Sequence, residues 1–473
     1  MFRQIHRCFT VIRQFSIAAE KHTRICVIGS GPAGWYTSRM LITLNEKVSI
    51  DMYEKLPVPF GLVRYGVAPD HPEVKNVEKE FTKHARHPRF RYIGNVNVGI
   101  DVSVADLQKA YHAVVFAYGS PSDRRLGIPG EEHVISTPAV VGWYNGDPEY
   151  RNLKFDLDCE EVAIIGQGNV ALDISRLLLR NIDDLRKTDI TERALEDLSK
   201  SRVKRVTCIG RRGPLQTAFT TAEVREMVEL PGFDVVLRAE DIDPIVLLIP
   251  CDIFIFFFVV VVVLALQRPK KRLMQLLAET AAIAPTCDKQ WCVEFLRSPL
   301  EVTKSGNMLS VKLGINKLEG KGAIAVPKAT GQTEMRDFGM IIRSVGYSAE
   351  QIDSLVPIDI KGGKIPNTMG RVNGNPGLYC SGWIQGGPIG VLITTRNGCY
   401  DTAQIVNQDI TEKVLPVNEK RPGFDLIERI LKEKGIQIVS FDDWEKINAI
   451  EVSRGAKSYN NSYMIVSILI RKK

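Results

Sequence analysis

The chain has 473 residues, which is long enough for two or three domains that each bury a core. Its hydrophobic content of 44% and its charged content of 25% are those of a globular protein. The formal net charge of +7 is modest, and basic residues do not alternate with aromatic ones as they do in single-strand binders. We therefore expect no nucleic-acid partner.

The N-terminal segment is basic. The first 19 residues contain arginines and apolar residues but no acidic residue. Such a stretch can form a basic amphipathic helix, which is typical of a mitochondrial transit peptide, although a disordered basic tail is the alternative. Arg13 interrupts the apolar run that a secretory signal would need. We assign residues 1–22 to a transit peptide and predict a mitochondrial location, with cleavage between about Phe15 and His22.

A glycine-rich fingerprint, GSGPAG at residues 29–34, follows an apolar strand-like run at residues 24–28 and precedes a predicted helix. In such a motif the first glycine makes the turn, the second lets the backbone approach a pyrophosphate, and the third lets helix and strand pack closely. The next strand-like run ends in Glu54, at the distance where an acid accepts hydrogen bonds from ribose hydroxyls. This pattern favours a ribose without a 2′-phosphate, as in FAD or NAD.

A second fingerprint, GQGNVA at residues 166–171, follows the run at residues 161–165 in the same way. Its matching strand, residues 205–209, leads to Arg211 and Arg212 instead of to an acid. Two guanidinium groups suit a 2′-phosphate, because arginine offers a planar fork of donors. We predict FAD at the first site and NADP at the second. An ordinary glycine-rich turn and a solvated basic turn are the alternatives.

The nine cysteines form no C-x-x-C pair and no cluster with iron–sulfur or zinc spacing, so we predict no metal. Cys287 and Cys292 have the C-x4-C spacing of flavin disulfide reductases, but they lie far beyond the first fingerprint. We interpret both as structural. Electrons must then leave the flavin for an acceptor other than an internal disulfide.

Residues 55–72, KLPVPFGLVRYGVAPDHP, carry the most specific pattern in the chain. They resemble the segment after the FAD acid in the NADPH–adrenodoxin oxidoreductase family, the mitochondrial ferredoxin–NADP reductases. The resemblance extends from about residue 24 to about residue 457 and includes GLYCSGW at residues 377–383. It implies an α/β fold with two Rossmann-like dinucleotide-binding domains, in which the NADP domain is inserted into a discontinuous FAD domain.

The resemblance also implies domain boundaries. The FAD domain comprises residues 23–121 and 346–457, and the NADP domain comprises residues 122–345. Two segments depart from the family: a hydrophobic insert at residues 245–266 and an atypical tail at residues 458–473.

Site residues follow from the resemblance, motif by motif. Those expected to bind FAD are Ala33, Glu54, Leu62, Val98, Trp383, Gly390, Val391 and Leu392. Those expected to bind NADP are Gln167, Gly168, Asn169, Val170, Arg211, Arg212, Glu223 and again Gly390. His71 and Asp173 are the candidate proton-relay residues, with a purely structural role as the alternative.

The implied reaction is electron transfer. NADPH would pass a hydride to FAD, and the flavin would release two electrons singly to an acidic [2Fe-2S] ferredoxin of the adrenodoxin type. This would feed mitochondrial P450 enzymes or cluster and haem pathways from the matrix, with peripheral association with the inner membrane left open. The basic run at residues 267–272 resembles the docking segment. Arg268 and Arg272, four apart on a helix that begins at Pro269, would bind the partner, with a solvated helix start as the alternative.

The hydrophobic insert is 22 residues long, enough to cross a bilayer of about 30 Å. Pro250 and Asp252 lie within it, however, and an aspartate in mid-membrane is costly. A single span would also separate the two halves of the NADP domain. We predict that the insert is not part of the functional enzyme but comes from a translated non-coding stretch or a non-productive splice form. We expect residues 458–473 to have the same origin. A membrane-tethered or non-productive variant without activity is the alternative.

Overall fold

The computed structural model describes residues 22–238, 241, 268–320, 322–388, 390 and 392–456. The predicted transit peptide before His22, the insert at residues 245–266, the candidate residue Val391 and the tail at residues 458–473 lie outside the described residues. Among the described helices, none combines the length and apolar character needed to cross a membrane.

The strands are numbered in chain order. They are β1 (Thr23–Ile28), β2 (Val48–Tyr53), β3 (Phe90–Ile93), β4 (Ala113–Phe116), β5 (Ser122–Asp123), β6 (Ile135–Ser136), β7 (Glu161–Ile165), β8 (Arg205–Ile209), β9 (Asp234–Leu237), β10 (Gln290–Glu294), β11 (Arg297–Ser305), β12 (Met308–Glu319), β13 (Val326–Phe338), β14 (Met340–Arg343), β15 (Tyr347–Ser348), β16 (Asn367–Thr368), β17 (Arg371–Val372) and β18 (Leu378–Cys380).

The α-helices of the described residues are numbered likewise. They are α1 (Pro32–Leu44), α2 (Leu62–Tyr65), α3 (Val77–Ala85), α4 (Val104–Ala110), α5 (Thr137–Asn145), α6 (Asn169–Leu179), α7 (Ile182–Leu185), α8 (Glu192–Ser199), α9 (Thr221–Glu229), α10 (Arg268–Ala281), α11 (Trp383–Gly386), α12 (Leu392–Thr411), α13 (Phe424–Glu433) and α14 (Phe441–Ala456).

The first sheet has the strand order β16-β17-β18-β4-β1-β2-β3. The strands from β18 to β3 run parallel, and β17 and β16 extend the sheet antiparallel. Alternate residues of β1 enter different core clusters, because successive side chains of a strand point to opposite faces. Helices α1, α3, α12 and α14 contribute to one cluster, and α4 and α13 contribute to the other. Both faces of this sheet are therefore covered by helices.

The second sheet is wholly parallel, with the order β6-β14-β7-β8-β10-β9. Its strands fall in the chain between β4 and β18, which are neighbours in the first sheet. The second sheet is therefore inserted within the first, as the sequence predicts. The short antiparallel pair β5 and β15 lies where the chain crosses between the sheets. The numerical domain boundaries next to this pair stay a prediction.

A third sheet was not predicted. Its antiparallel strands β11, β12 and β13 cover one face of the second sheet, whereas helices cover the other face. In β12 the apolar side chains of Leu309, Val311 and Leu313 are buried at alternate positions. They pack against Ala163 and Ile165 of β7. The period-two pattern thus places an apolar face of β12 on the parallel sheet.

Candidate nucleotide-binding sites

The first fingerprint has the backbone geometry that its glycines predict. Gly29 has φ +102°, and a Cβ atom there would lie 2.5 Å from the Cα of Tyr118. A Cβ on Gly34 would lie 2.1 Å from the carbonyl oxygen of Gly29. At Gly31, in contrast, an added Cβ would meet no described atom within 4 Å. The turn and the helix packing exclude side chains, whereas the middle position leaves space for a ligand.

The helices that follow the two fingerprints begin without a side-chain cap, as α2, α3, α11 and α13 also do. Helix α4 is capped by the Ser103 hydroxyl, and α9 is capped by the Thr220 hydroxyl. Within the described residues, no side chain caps α1 or α6, which begin after Gly31 and Gly168. Their first N–H groups are left for another acceptor. A pyrophosphate fits this environment, because the helix dipole also favours an anion there.

Glu54 directly follows β2 and is held beside the first fingerprint. Its Oε2 accepts hydrogen bonds from the backbone N–H (2.9 Å) and the hydroxyl (2.7 Å) of Ser30, and its Oε1 accepts one from the N–H of Leu56 (3.0 Å). The residue is only 8% exposed. A carboxylate has about four acceptor positions, so these three bonds leave one for a ribose hydroxyl.

Several candidate FAD residues are close to the first fingerprint. A Cβ on Gly382, which precedes Trp383, would lie 2.4 Å from the Cβ of Ala33. A Cβ on Gly61, which precedes Leu62, would lie 3.1 Å from the Cα of Gly31. The structure thus brings the segments around residues 61 and 382 to the fingerprint.

The positions of the other FAD candidates do not by themselves indicate a contact with the cofactor. Val98 is buried in the same core cluster as Tyr53. Gly390 has φ +94°, and Leu392 is half-buried at the start of α12. The ring of Trp383 lies 5.7 Å from that of Tyr347. The roles of these residues toward FAD stay predictions.

The second fingerprint repeats the geometry of the first. Gly166 has φ +130°, and a Cβ there would lie 2.0 Å from the carbonyl oxygen of Ser344. An added Cβ at Gly168 would contact no described atom within 4 Å. Ala171, at the third position, is fully buried. Asn169 and the half-buried Val170 form the first residues of α6.

The side chains around the second fingerprint connect it to neighbouring elements. The Nε2 of Gln167 donates to the carbonyl oxygens of Cys208 (3.3 Å) and Glu294 (2.8 Å), so this side chain braces β8 and β10. The Oδ1 of Asn169 accepts from the N–H of Thr220 (3.1 Å), whose hydroxyl accepts from the N–H of Glu223 (3.3 Å). These bonds link the start of α6 to the start of α9.

Arg211 and Arg212 are exposed just beyond the carboxyl end of β8. Lys270 of α10 is anchored nearby, because its Nζ donates to the carbonyl oxygen of Thr217 (2.5 Å). Burial and the charge of Arg212 lower the pKa of Lys270, as expected where cations gather without an anion. This cluster of cations fits an anionic group such as a 2′-phosphate.

His71 and Asp173 lie in one buried charged cluster, but they meet through a third residue. Among the described hydrogen bonds none joins them directly; each contacts Nη2 of Arg176, at 3.0 Å for Nδ1 of His71 and 2.9 Å for Oδ1 of Asp173. The Nε2 of His71 lies 3.0 Å from Oε2 of Glu226. The Asp70 and Glu226 carboxylates raise the pKa of His71 to about 10, and burial raises that of Asp173 to about 6 against the effect of Arg176.

Asp70, His71 and Glu226 are close enough to one another to hold a metal ion. A histidine must be neutral to ligate a metal. The polar atoms of these three residues already bond to one another and to Arg176, so a metal ion would have to displace those bonds.

The described residues of helix α10 start at Arg268 and include Pro269, the predicted helix start. Arg268 and Arg272 are exposed, whereas Leu273 and Leu277 are buried in the core cluster of the second sheet. The helix thus presents basic residues to solvent while its apolar residues anchor it. Docking at this helix stays a prediction.

Cys287 and Cys292 are free thiols on either side of the start of β10. Burial raises the pKa of Cys292 to about 11, which keeps it protonated at neutral pH. A thiol with that pKa is a poor nucleophile. This is compatible with the structural role that the sequence predicts.

Comparisons with known proteins identify the family. The sequence model of the pyridine nucleotide-disulphide oxidoreductases matches residues 23–230. The mitochondrial NADPH:adrenodoxin oxidoreductase of Bos taurus is 47% identical, over 93% of this chain and 89% of its own. That of Salvelinus fontinalis is 45% identical, over 95% and 91%. The chain belongs to the NADPH:adrenodoxin oxidoreductase family.

A solved structure agrees with this assignment. The Mycobacterium tuberculosis oxidoreductase FprA, described in complex with NADPH, is 34% identical and superposes with a TM-score of 0.86. The match covers 94% of this chain and 98% of FprA. Membership of the NADPH:adrenodoxin oxidoreductase family confirms the resemblance, the oxidoreductase class, the two α/β dinucleotide-binding units and the cofactor pair FAD and NADP. The mitochondrial names of the relatives agree with the predicted location.

Some residues of this family member were missed by reading the sequence. Arg176 is the centre of the charged cluster, and Asp70 is its main partner. The signal was present as Asp173 and Arg176, three apart on one helix face, but Asp70 lies too far away in the chain to be paired by inspection. The close contact between Tyr118 and Gly29 was also missed, because it depends on the parallel pairing of β4 with β1.

Proposed function

We propose that the protein transfers electrons from NADPH through FAD to a [2Fe-2S] ferredoxin of the adrenodoxin type. One observation supports the proposal: the chain forms two glycine-rich fingerprints, and the residues after the second strand of each unit carry opposite charges. A buried carboxylate, Glu54, lies at the first site, and two exposed arginines, Arg211 and Arg212, lie at the second. Two different nucleotides on two sheets of one chain are what hydride transfer between cofactors requires. The names of the relatives support the ferredoxin as acceptor.

When bound, FAD supplies the redox chemistry, since it accepts a hydride from NADPH and can release the two electrons singly. The protein residues bind and orient the nucleotides. The backbone at Gly31 and the start of α1 hold the FAD pyrophosphate, and Glu54 accepts from its ribose. The backbone at Gly168 and the start of α6 hold the NADP pyrophosphate. Arg211 and Arg212 donate to the 2′-phosphate.

The buried charged cluster supplies the proposed proton relay. His71 holds a proton on Nε2 toward Glu226 at neutral pH, because its pKa is raised to about 10 by Asp70 and Glu226. Asp173, whose pKa burial raises to about 6, is the member of the pair that can exchange a proton near neutral pH. Arg176 contacts both residues and orients them. A purely structural role for the cluster is the competing interpretation.

The electron acceptor would dock on α10. Its exposed Arg268 and Arg272 are complementary to an acidic ferredoxin, which would associate through charge. The reaction would take place in the mitochondrial matrix, with or without peripheral contact with the inner membrane. It would supply P450 enzymes or cluster and haem synthesis.

The deciding experiment is reduction of cytochrome c by the purified, FAD-loaded protein. We expect NADPH to support reduction only when an adrenodoxin-type ferredoxin is added, with NADH a poor substitute. Rapid reduction of cytochrome c without ferredoxin would contradict the assigned acceptor. Bound FAD without NADPH oxidation toward any acceptor, ferricyanide included, would favour the inactive variant instead.

A further inference from the structure

The backbone carbonyls of the turn that carries Arg211 and Arg212 accept hydrogen bonds from the start of β11, from the residue before it and from β12. The carbonyl oxygen of Gly210 accepts from the N–H of Arg297 (2.9 Å), and that of Arg212 accepts from the N–H of Leu296 (3.2 Å). The carbonyl oxygen of Arg211, between them, accepts from a side chain, the Nδ2 of Asn316 (3.1 Å). All three carbonyl groups of the turn are therefore fixed, and none of their donors belongs to the nucleotide fingerprint.

Asn316 organises this arrangement. Its backbone N–H donates to the carbonyl oxygen of Leu296 (2.8 Å), and its Nδ2 also donates to the hydroxyl of Ser298 (2.8 Å). Leu296 has φ +58°, a left-handed conformation that is uncommon for leucine and must be held by its surroundings. Asn316 therefore holds the Arg211 carbonyl directly and the Arg212 carbonyl through Leu296.

The position of Asn316 in β12 separates it from the apolar packing of the sheet. The pairing of β12 with β13 shifts register between Gly314 and Asn316. Such a bulge re-aims the side chains beyond it. Asn316 is only 7% exposed, and a buried amide is costly unless its N–H groups are bonded. One bond of Nδ2 goes to the turn itself, at Arg211, and the other goes to Ser298 of β11, next to the residues that hold the turn.

We propose that Asn316 is a positioning residue for nucleotide specificity, which orients the Arg211–Arg212 turn so that its guanidinium groups bind the 2′-phosphate of NADP. This inference rests on the proposed function of Arg211 and Arg212. The affinity of a planar guanidinium for a phosphate depends on its orientation, because its hydrogen bonds to phosphate are directional. Without the Asn316 side chain the Arg211 carbonyl loses its partner, and the peptide group between Arg211 and Arg212 loses a restraint that the bonds of Gly210 and Arg212 do not replace. The arginines then remain charged and exposed, but they no longer converge on one phosphate.

The test uses two substitutions and a matched control in the purified, FAD-loaded protein. Asn316→Leu keeps a similar volume without N–H donors, and Asn316→Asp keeps the shape but faces the Arg211 carbonyl with an acceptor. Thr330→Ala is the control, because the Thr330 hydroxyl donates to the Ile315 carbonyl (2.8 Å) in the same sheet but not to the turn. Binding of 2′,5′-ADP and of 5′-AMP is measured by calorimetry. KM and kcat are measured for NADPH and NADH with ferricyanide.

We expect both Asn316 variants to bind 2′,5′-ADP about tenfold more weakly, as follows from losing a well-placed hydrogen-bonding group, with 5′-AMP affinity changed less than about twofold. KM for NADPH should rise by a similar factor while kcat and the NADH constants stay near wild type. Thr330→Ala should resemble the wild type.

The outcomes separate the two proposals. If the wild-type protein does not prefer 2′,5′-ADP to 5′-AMP, the assigned function of Arg211 and Arg212 fails. If the wild type shows the preference and the Asn316 variants keep it, the positioning role is overturned. Equal weakening of both ligands, with a lowered melting temperature, would also overturn it, because a merely structural residue would have that effect.

Discussion

The guanidinium of Arg176 donates two hydrogen bonds to the carboxylate of Asp70, from Nε to Oδ2 at 2.6 Å and from Nη2 to Oδ1 at 2.9 Å. Both side chains are almost completely buried. Asp70 lies in the segment between β2 and β3 of the first sheet, whereas Arg176 lies on α6 of the second. The pair therefore joins the two nucleotide-binding units at a place where water cannot replace either partner.

Replacing Arg176 should destabilise the protein strongly. Arg176→Leu leaves the Asp70 carboxylate buried with Arg180 as its remaining guanidinium partner, and breaking a buried pair typically costs about 3–5 kcal/mol. Urea unfolding followed by tryptophan fluorescence measures the free energy of unfolding. Arg186→Leu is the control, because its pair with Asp183 is exposed and should contribute little. A similar decrease in the free energy of unfolding of both variants would show that the buried Asp70–Arg176 pair contributes no more to stability than an exposed pair does.

Removing either arginine of the second site should reduce the preference for NADPH. A hydrogen bond to a charged group contributes about 1.5–3 kcal/mol, so Arg211→Ala or Arg212→Ala should weaken discrimination against NADH by roughly ten- to hundredfold. The ratio of kcat/KM for NADPH and NADH with ferricyanide measures this. Arg202→Ala, an exposed arginine on the loop before β8, is the control. Equal losses with both nucleotides would contradict the assignment.

Reversing the charges on α10 should impair the partner reaction alone. Arg268→Glu with Arg272→Glu should slow ferredoxin reduction, and the wild-type rate should itself fall as salt rises, because the association is electrostatic. Activity from NADPH to ferricyanide should be unchanged. Lys83→Glu with Lys304→Glu, two exposed lysines on other elements, controls for net charge. If ferricyanide activity falls equally, the α10 arginines support the fold instead of the partner.

The contribution of His71 to stability should depend on pH. Its pKa rises from 6.5 to about 10 on folding, mainly through Asp70 and then Glu226. A raised histidine pKa stabilises the folded state fully below about pH 6.5, and this stabilisation is lost as the pH rises through about 10. His71→Gln should therefore be less stable than the wild type at pH 6, by a few kcal/mol, and the difference should disappear near pH 10. A difference that grows with pH would contradict the direction of the shift.

Deleting the hydrophobic insert should increase the yield of soluble, active protein. We expect removal of residues 245–266, with a short polar linker in their place, to yield soluble, FAD-bound protein that oxidises NADPH. The full chain should be mostly insoluble, because an exposed apolar run of this length promotes association. Fractionation and flavin absorbance measure both outcomes. A full chain that is soluble and active, or that resists carbonate extraction from membranes with FAD bound, would contradict this interpretation.

The fingerprints could be located from the sequence because their constraints are local. The contact that excludes a side chain at Gly34 is with the carbonyl oxygen of Gly29, five residues away, and the glycine spacing lies between a strand-like and a helix-like run, so a strand, a turn and a helix can be read in order. Glu54 and Arg211 could be predicted as specificity residues, because each follows the next strand of its own unit, and their roles stay predictions. Val98 and Gly390 were assigned through the family resemblance, and the positive φ of Gly390 (+94°) does not by itself indicate which ligand lies beside it.

What the sequence by itself determined is the pair of dinucleotide sites, their order, and the charge at each. The tertiary structure alone decided the third, antiparallel sheet, the Asp70–Arg176 pair and the bond from Asn316 to Arg211. The two side-chain contacts, Asp70–Arg176 and Asn316–Arg211, join residues about a hundred positions apart. Nothing in the hydrophobic period of either segment specifies the other, because such pairs form only after the sheets have brought distant strands together. Local periodicity therefore predicted the elements, and packing determined which charged and polar groups meet.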